Sequence, residues 1–272
     1  MPLGVLNNIP SLVAENQLNI TNSNLQNTLF QLSSGSRINS GADDAAGLAI
    51  ANGLEANITA LNQSVANAND GVGSLQVADG ALSQVTSLLN RAITLGTEAA
   101  TGTVSSAQRG ALDAEYQAIR TEIDTIGTAT TFNGTPVFST ATTSIFLSDS
   151  TVSGTTTVAV NTGLLSTASL GITGNLTTAS LAQVELTDIN AAVAIVADTR
   201  GTLGAGINQL QAASNVMNTE IQNLTTAENQ ITAADIPTVV SNLSKYSILE
   251  QTGISALAQA NTAQQQVLNL LH

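Results

Sequence analysis

No cysteine and no tryptophan occur anywhere in the 272 residues. The first absence excludes a disulfide framework, a thiolate metal site and a cysteine nucleophile. The second belongs to a wider shortage. Aromatic residues make up 2% of the chain, too little large buried area for a thick globular core. Charged side chains are 9%, against about a quarter in an ordinary domain, so Ser, Thr, Asn and Gln must form the surface. Six basic residues against nineteen acidic ones give a net charge of −13. No basic cluster offers a foothold to nucleic acid or an anionic membrane, and neither is an expected partner. No apolar run approaches the roughly 18 residues of a membrane span. The start, MPLGVLNNIPSLVAENQL, lacks a basic segment followed by an apolar block, so it does not read as a cleavable secretory signal.

What is abundant is helical periodicity in Ala, Leu, Ile and Val. Leu54, Ile58, Leu61, Val65, Ala68, Val72 and Leu75 alternate by four and three, with a phase slip near Ala78 and a resumption at Leu82, Val85 and Leu89. A second run holds Leu112, Tyr116, Ile119, Ile123 and Ile126. A third extends from Leu186 to Ile231, interrupted only by Arg200, Ser214 and Glu228. Sustained heptads mean helices that share a seam, and the third run predicts a helix of roughly 70 Å. The fold class expected is mainly α: an elongated, antiparallel helical coiled-coil rod with a small β-hairpin region at its far end.

The chain ends carry two further stripes. Leu18, Leu25, Leu29 and Leu32 form one; Leu249, Gly253, Ala256, Ala260, Ala263, Val267 and Leu270 form the other. Neither helix can bury its stripe alone, and single helices are marginal in water. Both termini are expected to be poorly ordered in a lone chain and ordered in an assembly. Between the helical runs, residues 127–185 are rich in Thr and Ser. Short β-favouring runs at TPVF, SIFL and TTVAV, separated by turn signals, predict antiparallel hairpins.

Candidate chemistry is sparse. Asp43 and Asp44 are adjacent, and neighbours at that spacing do not share a helix face, so they cannot flank one bond as acid and base. Ser40 followed by Asp43 reads as a helix N-cap with its acidic partner, and Asp44 falls in the first turn, where the helix dipole favours it. Arg37, beside them, is left to a carboxylate or backbone carbonyl at a subunit boundary. His272, the sole histidine, is the last residue and reads as a solvated end rather than a metal ligand. Gly71, Gly73, Gly201, Gly204 and Gly206 form no phosphate loop; close packing between helices is the expected reason for them. No cofactor and no enzymatic activity are expected.

Several blocks together resemble bacterial flagellin: LSSGSRINSGADDAAGLAIA (32–51), NANDG (67–71), DGAL (79–82), FNG (132–134), SNLSK (241–245) and LAQANTAQQQVLNLL (257–271). The resemblance covers nearly everything outside 135–185. It implies a structural subunit that polymerises into the helical filament of the bacterial flagellum for swimming. Such a subunit is exported unfolded through a narrow channel, which suits a chain without cysteine, and is assembled outside the cell at the filament tip. Residues 1–32 with 239–272 would be inner-tube helices, 33–46 and 232–238 connectors, 47–128 with 186–231 outer-core helices, and 129–185 the hairpin region. No room is left for a large surface-projecting insert.

The resemblance also implies partners: further copies of the chain, an export chaperone at the C-terminal helix, the filament cap, hook–filament junction proteins and the innate immune flagellin receptor of animals. The receptor contacts carried over are Arg91 and Leu95 in LNRAITLGTEA and Glu115 in LDAEYQAIR, although Ala92 stands where the family usually has Glu and Gly96 replaces a long polar residue. As in some flagellins, Thr142, Thr143 and Ser144 are candidate O-glycosylation sites. The alternative reading is a hook–filament junction protein, a structural class with similar helical termini. An enzyme or a signalling coiled coil would need a catalytic constellation or a membrane span, and the sequence offers neither.

Overall fold

A computed structural model describes residues 8–148 and 157–270, with side chains through residue 266. Helices dominate: α1 (Ile9–Ser34), α2 (Ala45–Ala100), α3 (Ser106–Ala129), α4 (Thr167–Leu170), α5 (Ala179–Thr232) and α6 (Ile236–Leu270). Between α3 and α5 lie two antiparallel hairpins, β1 (Thr131–Phe132) with β2 (Thr135–Pro136) and β3 (Thr143–Phe146) with β4 (Thr157–Val160). This is the mainly helical class with short hairpins that the sequence predicts. The chain divides into two compact units: one made of residues 1–56 and 223–272, the other of 57–222.

In the second unit, α2 and α5 run antiparallel. Gly71 meets Leu210, Gly206 meets Leu75, Arg200 pairs with Asp79, and Gly96 faces Leu186. The third heptad run is the seam of α5: Ile189, Val196, Leu203, Leu210 and Met217 are buried at every seventh position. Ser214 is buried among them, and Arg200 bonds Asp79 through both carboxylate oxygens (2.7 and 3.2 Å). By length and composition α5 is the one described helix apolar enough to cross a membrane, with mean hydropathy 1.3 over its best window. Asp188, Asp198 and Arg200 keep it from reading as an unbroken apolar run.

The phase slip expected at Ala78 does not occur. The buried positions of α2 run Leu61, Ser64, Ala68, Gly71, Leu75, Ala78, Leu82, Val85 and Leu89, without a break in the three–four alternation. Ser64 and Gly71 take the places that Val65 and Val72 seemed to hold, because the β3–β4 hairpin docks there. The Ser64 hydroxyl donates to the Ser148 carbonyl (3.0 Å), and a Cβ on Gly71 would overlap Ile145. Gly206 is close to Val160 on the same hairpin. Packing thus accounts for Gly71 and Gly206, but not for Gly201 and Gly204, which have open space beside them.

Residues 161–178 correct a second expectation. They form no hairpin. The segment is a strap, with α4 in its middle, held by one stripe of α3. Asp113 accepts from the Leu176 N–H (2.7 Å), and Gln117 and Arg120 donate to the Gly174 carbonyl (3.4 and 3.2 Å). Asp124 accepts from the Thr167 N–H (2.7 Å), and Gly127 lets the Leu165 carbonyl approach so closely that a Cβ would overlap it. Spacings of four, three, four and three place all five residues on one helix face. Beneath them Leu165, Leu170, Ile172 and Leu176 are buried. α5 therefore begins at Ala179, ahead of the first heptad residue at Leu186.

Candidate functional site

The terminal helices α1 and α6 pair in antiparallel fashion within the first unit. Asn8 caps α1 by accepting from the Ser11 N–H (3.1 Å), and its amide donates to the Ala260 carbonyl (3.2 Å). Further along, Leu18 packs on Gly253. The face of α1 turned to α6 holds Leu18, Thr21, Leu25, Thr28 and Leu32; the two threonines are buried and the leucines partly so. Each threonine hydroxyl donates to the carbonyl four residues back, Gln17 (2.8 Å) and Asn24 (2.7 Å), which satisfies a buried hydroxyl inside its own helix. On α6 the covered positions are Val239, Leu243, Tyr246, Glu250, Gly253, Leu257 and Ala260.

This corrects the stripes read from sequence. Leu18, Leu25 and Ala260 lie on the paired faces. Leu29, Leu249 and Ala256 are exposed and do not; the side chains of Val267 and Leu270 fall outside the described residues. In the structure each helix supplies the other's partner. The pair is nonetheless incompletely covered. Ile9 (63% exposed), Leu12 (67%), Phe30 (68%) and Ile248 (61%) point away from it, as do Val13, Ile20 and Ile254. On the covered face of α1 the fully buried positions are the two threonines, with Leu18, Leu25 and Leu32 only partly covered, while the uncovered faces carry further large apolar residues.

The connector between α1 and α2 spans 35–44, and that between α5 and α6 spans 233–235. Gly35 ends α1 in the left-handed region (φ 70°), a conformation that suits glycine. Ser40 is not the cap of α2. Asp44 is: its Oδ1 accepts from the Gly47 N–H (2.8 Å) and its carbonyl from Leu48 (3.0 Å), the bonding expected at an N-cap. Asp43 stays in the preceding turn, where its Oδ2 accepts from the Asn39 and Ser40 amides and the Ser40 hydroxyl (3.0, 2.9 and 3.1 Å). Those bonds hold its carboxyl below the usual range, the Asn39 amide first, then Ser40. Arg37 finds a backbone carbonyl in its own chain rather than across a subunit boundary: its guanidinium donates to Ile231 (2.7 Å).

Arg91 on α2 and Glu115 on α3 are exposed and form a 2.7 Å ion pair, which raises the arginine and lowers the glutamate, through the hydrogen bond above all in each case. Leu95 is different. It is 1% exposed, turned into the packing of α2, so its side chain offers no contact surface and the expectation for it is corrected. Thr142, Thr143 and Ser144 are all exposed. Sequence reading misses one buried pair. Tyr116 donates its hydroxyl to Glu185, both nearly inaccessible, and Glu185 lies against Gly174 of the strap. Burial first, then that bond, pushes the phenol well above its ordinary range. Among the described residues no group of three or more His, Cys, Asp or Glu could hold a metal ion.

Known proteins match this architecture at both ends of the chain. The bacterial flagellin N-terminal helical region matches residues 5–143, and the bacterial flagellin C-terminal helical region matches 186–271. The flagellar filament 30.7 kDa core protein of Treponema maltophilum is 31% identical over 284 aligned residues, covering 97% of this chain and 98% of that one. A flagellin of Halalkalibacterium halodurans is 33% identical over 275, with the same coverage of 97% and 98%. Among solved structures, Bacillus cereus flagellin superposes with a TM-score of 0.51 at 30% identity, covering 60% of this chain and 94% of that one. Matched through its α1–α3 half and its α5–α6 half alike, the chain belongs to the bacterial flagellin family.

Proposed function

We propose that this chain is a structural, non-catalytic subunit that polymerises with copies of itself into the flagellar filament, an extracellular appendage for swimming. One observation carries the reading. The α1–α6 pair leaves Ile9, Leu12, Val13, Phe30 and Ile248 in water, a surface that a stable monomer has no use for. At about 25 cal/mol per Å² of apolar area covered, burial against neighbouring copies offsets the ordering and orientational costs of docking. Repetition of one asymmetric contact without closure makes a helical polymer. Relatives that align over nearly the whole chain are named flagellar filament core proteins or flagellins, which favours the filament over the hook–filament junction. In this reading α1 and α6 are the inner-tube helices, α2, α3 and α5 the outer core, and the hairpins with the strap the outermost region.

The finer parts follow from the same reading. The chain is exported before it folds, with α6 offered to an export chaperone and later to cap and junction proteins. The immune receptor meets Arg91 and Glu115, the two exposed members of its expected contact set. Soluble receptor binding should weaken in Arg91→Ala and Glu115→Ala; unchanged binding in both removes that partner. Exposure of Thr142, Thr143 and Ser144 supports O-glycosylation there, and an intact filament-protein mass equal to the bare sequence removes it. The test of the main reading is reassembly. Purified chain should form long tubes under the electron microscope, and failure to polymerise under every condition, with filaments intact after gene deletion, contradicts it.

A further inference from the structure

The chain has two Asn-Gly dipeptides, at 52–53 and 133–134. The first lies inside α2, where helical hydrogen bonding fixes the backbone. The second is the tip of the β1–β2 hairpin. Asn133 (φ 50°) and Gly134 (φ 76°) both take the left-handed region, as a two-residue type I′ loop requires. Among the described residues Asn133 is the one non-glycine with positive φ. Both turn residues are exposed, as are Thr135 and Pro136 after them. A Cβ on Gly134 would meet nothing within 4 Å. The hairpin has only the pairs Phe132 with Thr135 and Thr131 with Pro136. Its base is held more firmly. The Val137 N–H donates to the Thr130 carbonyl (3.0 Å), and Val137 and Phe138 are buried. The Phe132 ring lies 3.5 Å from where a Cβ on Gly73 of α2 would stand. The tip is therefore free to open while the base stays seated.

We infer that Asn133 is a site of spontaneous deamidation, with the folded turn as its brake. The Gly134 backbone nitrogen attacks the side-chain carbonyl carbon of Asn133. Its proton passes to the departing amide nitrogen, ammonia leaves, and a five-membered succinimide remains. Water then breaks one of the two ring C–N bonds. Breaking the new bond gives aspartate; breaking the original peptide bond gives isoaspartate. No reactant other than water is needed. Glycine leaves the attacking nitrogen unshielded by a Cβ. The left-handed turn holds that nitrogen away from the side-chain carbon, so ring closure waits for the tip to open. The isoaspartyl product routes the backbone through an additional carbon. A two-residue loop has no room for it, so the pairing of Phe132 with Thr135 is lost and the Phe132 ring leaves Gly73.

Peptide mapping by mass spectrometry tests it on the full-length chain kept in mildly alkaline buffer, folded and, in parallel, unfolded in guanidinium chloride. Asn133 should convert in both samples, about tenfold more slowly in the folded one, the scale of a local opening equilibrium. The folded product should include isoaspartate. In molecules that carry it, the Val137 amide should exchange hydrogen faster than in the unmodified chain, while the Leu203 amide in the α5 seam stays as slow as before. Asn133→Gly keeps a type I′ turn and should show neither conversion at that position nor a change at Val137. A folded chain whose Asn133 is still intact when the unfolded chain has converted completely overturns the site. Conversion as fast in the folded chain as in the unfolded one overturns the brake. Isoaspartyl molecules with unchanged exchange at Val137 overturn the effect on the hairpin.

Discussion

The two units of the chain differ in how completely they bury their large apolar residues. In the 57–222 unit, Leu61, Leu82, Leu89, Ile123, Leu203 and Leu210 are fully buried in the seams of α2, α3 and α5, with Val184 and Val216 among the apolar residues left exposed. In the α1–α6 pair, Thr21 and Thr28 are buried while Leu12, Phe30 and Ile248 are exposed. The first pattern is that of a structure complete by itself. The second is that of a structure completed by neighbours, since large exposed apolar patches mark interaction surfaces. Stability and assembly are thereby assigned to different residues, and each can be attacked without the other.

The largest effect on assembly should come from removing residues 250–272. Polymerisation is expected to vanish, with the helical signal of the 57–222 unit retained in circular dichroism; a truncated chain that still forms tubes would erase the contrast. The largest effect on stability should come from Gly127→Ala, where the new Cβ collides with the Leu165 carbonyl of the strap. Steric strain against a backbone atom puts the cost at about 3 kcal/mol, readable by urea unfolding. Gly80→Ala, beside open space in α2, should instead be neutral or stabilising by up to about 1 kcal/mol.

Tyr116→Phe comes next, at about 1–3 kcal/mol, because it strips a buried glutamate of its hydroxyl donor. It should also change the alkaline limb of stability. The phenol is raised in the folded chain, so above about pH 10 the unfolded state loses that proton first. Stability is therefore full below that pH and falls as pH rises through it, and the variant should lose this part of the slope. A variant with the same alkaline slope as wild type would mean that Tyr116 titrates normally. The smallest effect belongs to Arg91→Ala. Its pair with Glu115 is half exposed and screened by solvent, so the urea midpoint should barely move; a clear drop would give that surface a structural role.

How much of this was legible in sequence depended on residue size. The α5 seam was readable because Ile189, Val196, Leu203 and Leu210 are large and regularly spaced. The α2 seam misled, because Ser64 and Gly71 hold seam positions where a hairpin needs room, and small residues carry no periodic signal. The strap was invisible for another reason. Leu165, Leu170, Ile172 and Leu176 follow no single period, and the α3 stripe that holds them is polar. In the terminal helices both faces offer leucine, so Leu29 and Leu249 looked equivalent to Leu18 and Leu25. The seven-residue spacing of Thr21 and Thr28 between Leu18, Leu25 and Leu32 was the signal that could have separated them. Arg37 was recognisable as unusual, but its partner lies 194 residues away and no local pattern names it.

The most direct measurement is polymerisation of the full chain carrying Leu12→Ser and Phe30→Ser, followed by sedimentation and electron microscopy beside the wild type. Both side chains are exposed in the single chain, so monomer stability should change by no more than about 0.5 kcal/mol. The expected result is an intact, helical monomer that forms no tubes at concentrations where the wild type does. Tubes from the double variant at the wild-type critical concentration would contradict the claim that the uncovered face of the terminal pair drives assembly.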